Sequence, residues 1–412
     1  MKKQLILSAI LGSLLFVSCN SENQENDLPE NTVNATVNGS AYKISELPVL
    51  PDFAKPIEKA GELRKFTLIK NDGTTLNFEM TSAKATLFGK MRTLAGTVST
   101  DQKKVEKAVM LVSENGFELL YTDQGQNFLL KGNEELNIGY KKHDFEMSPS
   151  VRQTFLAISQ KNGVDGDQIL NNLNRKSTDN DSRYEVAVEK SSHYTLINQT
   201  ISMRKRESIE GKSECPTAHL PFNESNPSFN KTVEADPGKY NMEIMYMDGT
   251  YDFYQAYLNL CISLYNIDND PANLAHMPSI SQYQVPDQQT QPVKYSEYVL
   301  AMAKQSNSLT QLNNLRNYCD KNPAQKNVAR CAFYEDKWDS GVLGSAWVGT
   351  YSSGSYSTLI ACDNGFNVLA HECGHNLGAV HVTDYNDLMY KSTSSNITHY
   401  DATNIANIKA KL

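Results

Sequence analysis

Residues 366–381 read FNVLAHECGHNLGAVH, and three of the chain's eight histidines, His371, His375 and His381, fall in that one stretch. Taken as a helix, Leu369, Cys373 and Leu377 recur every fourth residue and make an apolar stripe. His371 and His375, also four apart, lie on roughly the opposite face, so their imidazoles can grip one ion. Glu372 sits beside them, turned by about 100°. Gly378 then ends the helix, because glycine accepts the left-handed conformation of a sharp exit. That exit can return His381 to the same point. Three histidines leave the fourth corner of a tetrahedral Zn2+ to water, and the spacing predicts one such ion. Zinc would bring the pKa of that water towards about 7. Glu372 is placed as the base that takes its proton and later hands it to a leaving amine. A bare HExxH also arises on surface helices with two solvated histidines; Gly378 and His381 in register separate this stretch from that case.

Outward from the helix, the chain of 412 residues is long enough for about two domains. It is 40% hydrophobic and 21% charged, a globular balance, and its net charge of −8 lacks a basic stripe, which argues against a nucleic-acid partner. Lys2 and Lys3 precede a short apolar run, LILSAILGSLLFV (5–17), as in a secretory signal. The run ends in Val17-Ser18-Cys19, which resembles the lipobox of bacterial lipoproteins and implies lipidation of Cys19. Residues 1–19 are then a lipoprotein signal and 20–31, polar and acidic, a flexible tether. The implied location is the cell envelope, lipid-anchored at the outer membrane or cell surface, with release to the outside as a further route.

Residues 32–150 read mostly as strands. FTLIKNDGTTLNFEM (66–80) and AVMLVSENGFELLYT (108–122) are hairpins around Asn71-Asp72-Gly73 and Asn115-Gly116. VRQTFLAISQKNG (151–163) predicts a helix stopped by Gly163, and 182–203 returns to strand. From 207 to about 238 four prolines and little periodicity mark an extended connecting segment. Beyond it, KYNMEIMYM (239–247), VARCAFYE (328–335) and LGSAWVGT (343–350) predict strands. Residues 251–267, 295–304, 309–320 and 400–412 predict helices. This order is that of an α/β domain.

HECGHNLGAVH resembles the metzincin zinc endopeptidases, which share HExxHxxGxxH. The resemblance implies a methionine turn under the metal, for which Asp387-Leu388-Met389-Tyr390 supplies Met389. It also implies a substrate-binding edge strand, for which 343–350 is in place. WDSGVLGSAW (338–347), VLAHECGHNLGAVH (368–381) and DLMY (387–390) are similar to the fragilysin-like group in particular. That group implies an α/β catalytic domain, with a mixed twisted sheet and the active-site helix, preceded by an α+β, strand-rich prodomain. The boundaries become 32–231 for the prodomain, with 207–231 as inhibitory connector, and 232–412 for the catalytic domain. TVEADPGKY resembles the start of such a domain, so Lys231-Thr232 is the candidate cleavage site; Arg204-Lys205-Arg206 is the rival. Fragilysin-like proteins silence the zymogen with an aspartate that has no match here. Cys215 stands near that place, as in metzincins that use a prodomain cysteine, with His219 a substitute ligand. Its alternative is a disulfide: six cysteines beyond Cys19 could form three bridges, or Cys319–Cys331 and Cys362–Cys373 could pair.

The function implied is a zinc-dependent endopeptidase made as a zymogen. Its partners are a protein or peptide substrate, an activating protease and a membrane. A non-proteolytic zinc amidohydrolase of cell-wall peptides, or a surface binding protein without turnover, are the alternatives.

Overall fold

The computed structural model describes residues 35–37, 40–42, 52–69, 75–88, 91–100, 105–114, 116–123, 126–131, 147–171, 197–200, 239–246, 253–282, 286–303, 308–321, 327–334, 342–362, 367–391 and 397–412. Cys19, Arg204-Lys205-Arg206, Cys215, His219 and Lys231-Thr232 lie outside them, as do most of 182–203 and the turn Asn71-Asp72-Gly73. The described residues belong to one unit that runs from Asn31 to Leu412.

Alternation in the N-terminal half produces a ladder of antiparallel strands. β1 (Ala35–Val37) and β2 (Ser40–Tyr42) make a small ribbon. β3 (Arg64–Ile69) pairs with β4 (Thr75–Leu87), with Phe66 opposite Phe78 and their rings stacked at 4.8 Å. β5 (Met91–Thr100), β6 (Val105–Val112), β7 (Phe117–Asp123), β8 (Gln126–Lys131) and β9 (Ile197–Thr200) follow in order, each antiparallel to the last. The strands of both hairpins read from the sequence pair with each other. Helix α1 (Pro149–Lys161) starts on the Ser148 cap, whose side chain accepts from Val151 N–H, and Gly163 beyond it has φ +69°.

Past residue 239 the strands become parallel. β10 (Asn241–Tyr246) lies between β11 (Ser279–Gln282) and β12 (Val328–Tyr334), and β12 pairs with β14 (Thr358–Cys362), all in parallel. β13 (Gly344–Ala346) closes that end as an antiparallel edge strand. Helices fill the crossovers: α2 (Phe253–Tyr265) between β10 and β11, α3 (Pro292–Met302) and α4 (Ser308–Lys321) between β11 and β12. α5 (Val368–Asn376) follows β14, and α6 (Ala402–Lys409) ends the chain. Among the described residues no helix is long and apolar enough to cross a membrane.

The two halves share one twelve-stranded sheet, joined where β4 meets β11 at Leu87 and Ile280. The β4–β5 register slips between Ser82 and Thr86, and Lys84 there takes φ 53°, a bulge that bends the strand. Phe88 N–H then donates to the Ile280 carbonyl at 2.8 Å.

Helix α2 explains why this sheet sits where it does. All its residues but Gln255 are buried, the pattern of a helix covered on every side. Its hydroxyls reach the N-terminal strands: Tyr257 OH lies 2.6 Å from Thr93 Oγ1, and Tyr265 OH donates to the Gly96 carbonyl at 3.3 Å. Lys107 of β6 donates to the Tyr265 and Asp268 carbonyls at the helix's C-terminal end, where a cation suits the dipole. Beyond that end, His276 Nδ1 stands 2.6 Å from Asp268 Oδ2.

The cysteines correct one expectation. Cys261, Cys331 and Cys373 are buried free thiols, so neither Cys319–Cys331 nor Cys362–Cys373 is a disulfide. Each sits in the apolar core, where burial pushes the thiols of Cys261, Cys331 and Cys373 well above the ordinary cysteine range and makes them inert.

This core predicts an alkaline weakness. Unfolded thiols ionise near pH 8.5, while the buried ones stay protonated. The unfolded state therefore binds fewer protons above that pH, and stability falls as pH rises. Tyr265 and Tyr351, pushed by burial to about 12, add to the loss at higher pH. Lys107, lowered by burial to about 8, acts in the opposite sense as a single group. The urea midpoint should drop between pH 7.5 and 10, and Cys261→Ala should flatten that drop. An unchanged midpoint over the range would refute this account.

Candidate metal centre

Helix α5 is short, and its C-terminal end is held from outside. Gly349 N–H donates to the His375 carbonyl at 2.8 Å and Tyr351 N–H to the Asn376 carbonyl at 3.1 Å, so a preceding turn satisfies carbonyls that a helix end leaves open. The Asn376 amide donates to Thr350 Oγ1 at 3.0 Å and its oxygen accepts from Tyr240 at 3.4 Å. The expected apolar stripe is there, with Leu369, Cys373 and Leu377 all at 0% exposure. The opposite face is buried as well, under the loop that follows His381.

That loop sets the ring orientations. Nδ1 of His371 is 2.7 Å from the Leu388 carbonyl, and Nδ1 of His375 is 2.9 Å from the Ala379 carbonyl. A carbonyl only accepts, so both Nδ1 atoms carry the proton and both Nε2 lone pairs face inward. His381 Nε2 stands 3.3 Å from Nε2 of His371 and 3.0 Å from Nε2 of His375. The three ligand atoms lie within 4.8 Å of one another. Nitrogens bound at 2.0–2.1 Å to a tetrahedral ion stand roughly 3.4 Å apart. The two inward lone pairs of His371 and His375, with Nε2 of His381 beside them, are thus a donor set that could hold a zinc ion.

His381 arrives by the sharp exit read from the sequence. Gly378 takes φ +97°, and Ala379 N–H returns to the Gly374 carbonyl at 2.9 Å. Val382 N–H donates to the Met389 carbonyl at 3.1 Å, and Val382 bridges Tyr390. The turn 387–390 is stiffened by Asp387, whose Oδ1 accepts from Met389 N–H at 2.6 Å. Burial raises the Asp387 carboxyl above its usual range. Leu388 N–H is fixed by the His399 carbonyl at 2.9 Å.

Met389 lies against the helix, at 0% exposure, with its Sδ beside Gly374. The sequence reading missed why it can. A Cβ on Gly374 would stand 2.7 Å from Met389 Sδ and 2.9 Å from a ring carbon of Tyr400. Only glycine inside HECGH lets that floor close. Tyr400 also donates to the Ala370 carbonyl at 2.9 Å.

Glu372 is 2% exposed. Its carboxylate packs on the edge strand, where a Cβ on Gly344 would lie 2.5 Å from Oε1 and 2.6 Å from Cγ. The strand read as 343–350 is shorter, 344–346, because 347–350 turns to cap α5. Gly344, Gly374, Tyr400 and Asn404 were not among the residues singled out in the sequence. Glycine in a strand, at Gly344, was the one available signal, since it marks close approach by another group.

The mixed sheet, its helices and the histidine centre fit an α/β metalloprotease domain. Residues 263–409 match the model described as Reprolysin_5, metallo-peptidase family M12, a stretch that contains all three histidines. The match supports a metzincin-like metalloprotease, a zinc-dependent hydrolase class. Among solved structures, the chain is similar to metalloproteinase-II from Bacteroides fragilis, at 13% identity and TM-score 0.44, covering 86% of this chain and 92% of that one. It is also similar to a chaperone-substrate complex, at 16% identity and TM-score 0.21, covering 42% of this chain and 30% of that one. Both likenesses are too loose to bear on the site.

Proposed function

We propose that this chain is a zinc-dependent endopeptidase of the fragilysin-like kind, made as a zymogen. The observation that carries the reading is the convergence of three Nε2 atoms, with the tautomers of His371 and His375 fixed by the Leu388 and Ala379 carbonyls. His371, His375 and His381 would hold the ion. A bound zinc ion would polarise the scissile carbonyl and favour loss of a proton from water. Glu372, buried against β13, takes the proton of the attacking water and returns it to the leaving amine. β13, as the sheet edge beside Glu372, receives an extended peptide as an added strand. Met389 is the apolar floor and not a ligand.

Residues 32–231 act as prodomain and 232–412 as catalytic domain, with activation by a protease at Lys231-Thr232. Cys215 silences the zymogen by occupying the position that water needs, as a thiolate does well. Cys19 carries the lipid that holds the protein at the cell envelope.

A peptide library tests the activity, with the uncut protein, the protein cut near Lys231 and the uncut Cys215→Ala variant compared. The uncut protein should be latent, and the other two should cleave internal bonds of extended peptides. Zinc binding without cleavage would favour a surface binding protein. Cleavage of short amides alone would favour an amidohydrolase. A fully latent Cys215→Ala variant would remove the cysteine switch. In the same preparations Cys19→Ser should shift the protein from membranes to the soluble fraction; an unchanged distribution would remove the anchor.

A further inference from the structure

We infer that Asn404, on the C-terminal helix α6, is a positioning residue for the third histidine of the metal centre. The inference rests on the zinc reading above. His371 and His375 ride on one helix, but His381 is carried by the chain that leaves it, and its place depends on how that backbone is held. Asn404 holds it from the far end of the sequence. Its Oδ1 accepts from Val380 N–H at 2.9 Å, and its Nδ2 donates to the Val380 carbonyl at 3.0 Å. One side chain thus takes both polar groups of the residue before His381, as a neighbouring strand would.

The contact does not serve to pack Val380, whose side chain is 47% exposed, whereas Asn404 is 0% exposed. Nor is Asn404 loose. Its own N–H is fixed at 2.6 Å by Oδ1 of Asp401, the cap of α6. Ile408, buried at 0%, seats the helix, and Lys409 pairs with Asp268 at 3.0 Å. On the other side of His381, Val382 is tied to Met389. The histidine therefore sits between two fixed backbone points, one set by the methionine turn and one by Asn404. Only a carboxamide of this length offers a donor and an acceptor matched to a backbone N–H and C=O. An aspartate would keep the acceptor but turn an oxygen against the Val380 carbonyl.

The test uses the full chain, with Asn404→Asp, Asn404→Ala and, as control, Ile408→Val, which loosens the same helix without touching the clamp. Zinc affinity is measured by competition with a chromophoric chelator, beside the melting temperature of the metal-free protein. Both Asn404 variants should bind zinc about 10–100-fold more weakly, as when groups that orient a ligand are lost. Ile408→Val should lower the melting temperature and keep wild-type affinity. Hydrogen exchange on the wild type, which needs no variant to fold, should show the Val380 amide protected. Wild-type affinity in Asn404→Asp, or zinc loss in Ile408→Val in proportion to lost stability, would overturn the inference. So would an unprotected Val380 amide. A wild-type protein that binds no zinc would overturn the metal reading itself and this inference with it.

Discussion

Glu372→Ala is expected to keep its zinc and its fold and to lose peptidase activity by about 10²–10⁴-fold, the range for removal of a general acid–base group. The reasoning is local. Glu372 sits between the two helical histidines in sequence, and its carboxylate is buried against the backbone of β13. The metal-holding atoms belong to other residues, so truncating Glu372 leaves them in place. Loss of the side chain opens a small space beside a strand whose register is set by its pairing with β14, so stability should change little. The measurement pairs steady-state cleavage of a peptide substrate with zinc content. A variant that cleaves at near wild-type rate would remove Glu372 from the mechanism. A variant that loses zinc in step with activity would make it a structural support.

Gly344→Ala should be the next most damaging change, with kcat lowered by about 10²-fold, the loss that goes with roughly 1 Å of misplacement at a reacting group. The added Cβ would stand 2.5 Å from Glu372 Oε1, a distance that real Cβ atoms do not tolerate. β13 cannot retreat freely, since Gly344, Ser345 and Ala346 are paired with Ala361, Ile360 and Leu359. The carboxylate is the part that moves. Because Gly344 acts through Glu372, the loss should appear in kcat more than in KM, with zinc content unchanged and the pH profile of kcat displaced. Equal loss in kcat and zinc content would point to general disruption of the centre, and wild-type kcat would show that the carboxylate has room to move.

The histidine centre was legible because HExxH encodes a local geometry: one helical turn separates the first two ligands, and glycine supplies the exit to the third. The hairpins at 66–80 and 108–122 were legible for the same reason, alternation punctuated by turn residues. What escaped was non-local or featureless. β14, TLIAC, is buried at every position and so lacks the alternation that marks a strand. β11, SISQ, is short and polar. The spacing of α2 indicated a helix but not that the N-terminal strands would cover its second face. Gly344, Gly374 and Asn404 meet Glu372, Met389 and Val380 only through the folded chain, and nothing near them in sequence names those partners. The absence of the two disulfides likewise follows from packing: Cys331 and Cys373 lie in the apolar core as free thiols.

Metal analysis of the purified, peptide-cleaving protein tests the central claim most directly. The account predicts one zinc ion per chain, held by His371, His375 and His381, with activity that a chelator abolishes and added zinc restores. Active protein that contains no zinc would contradict it.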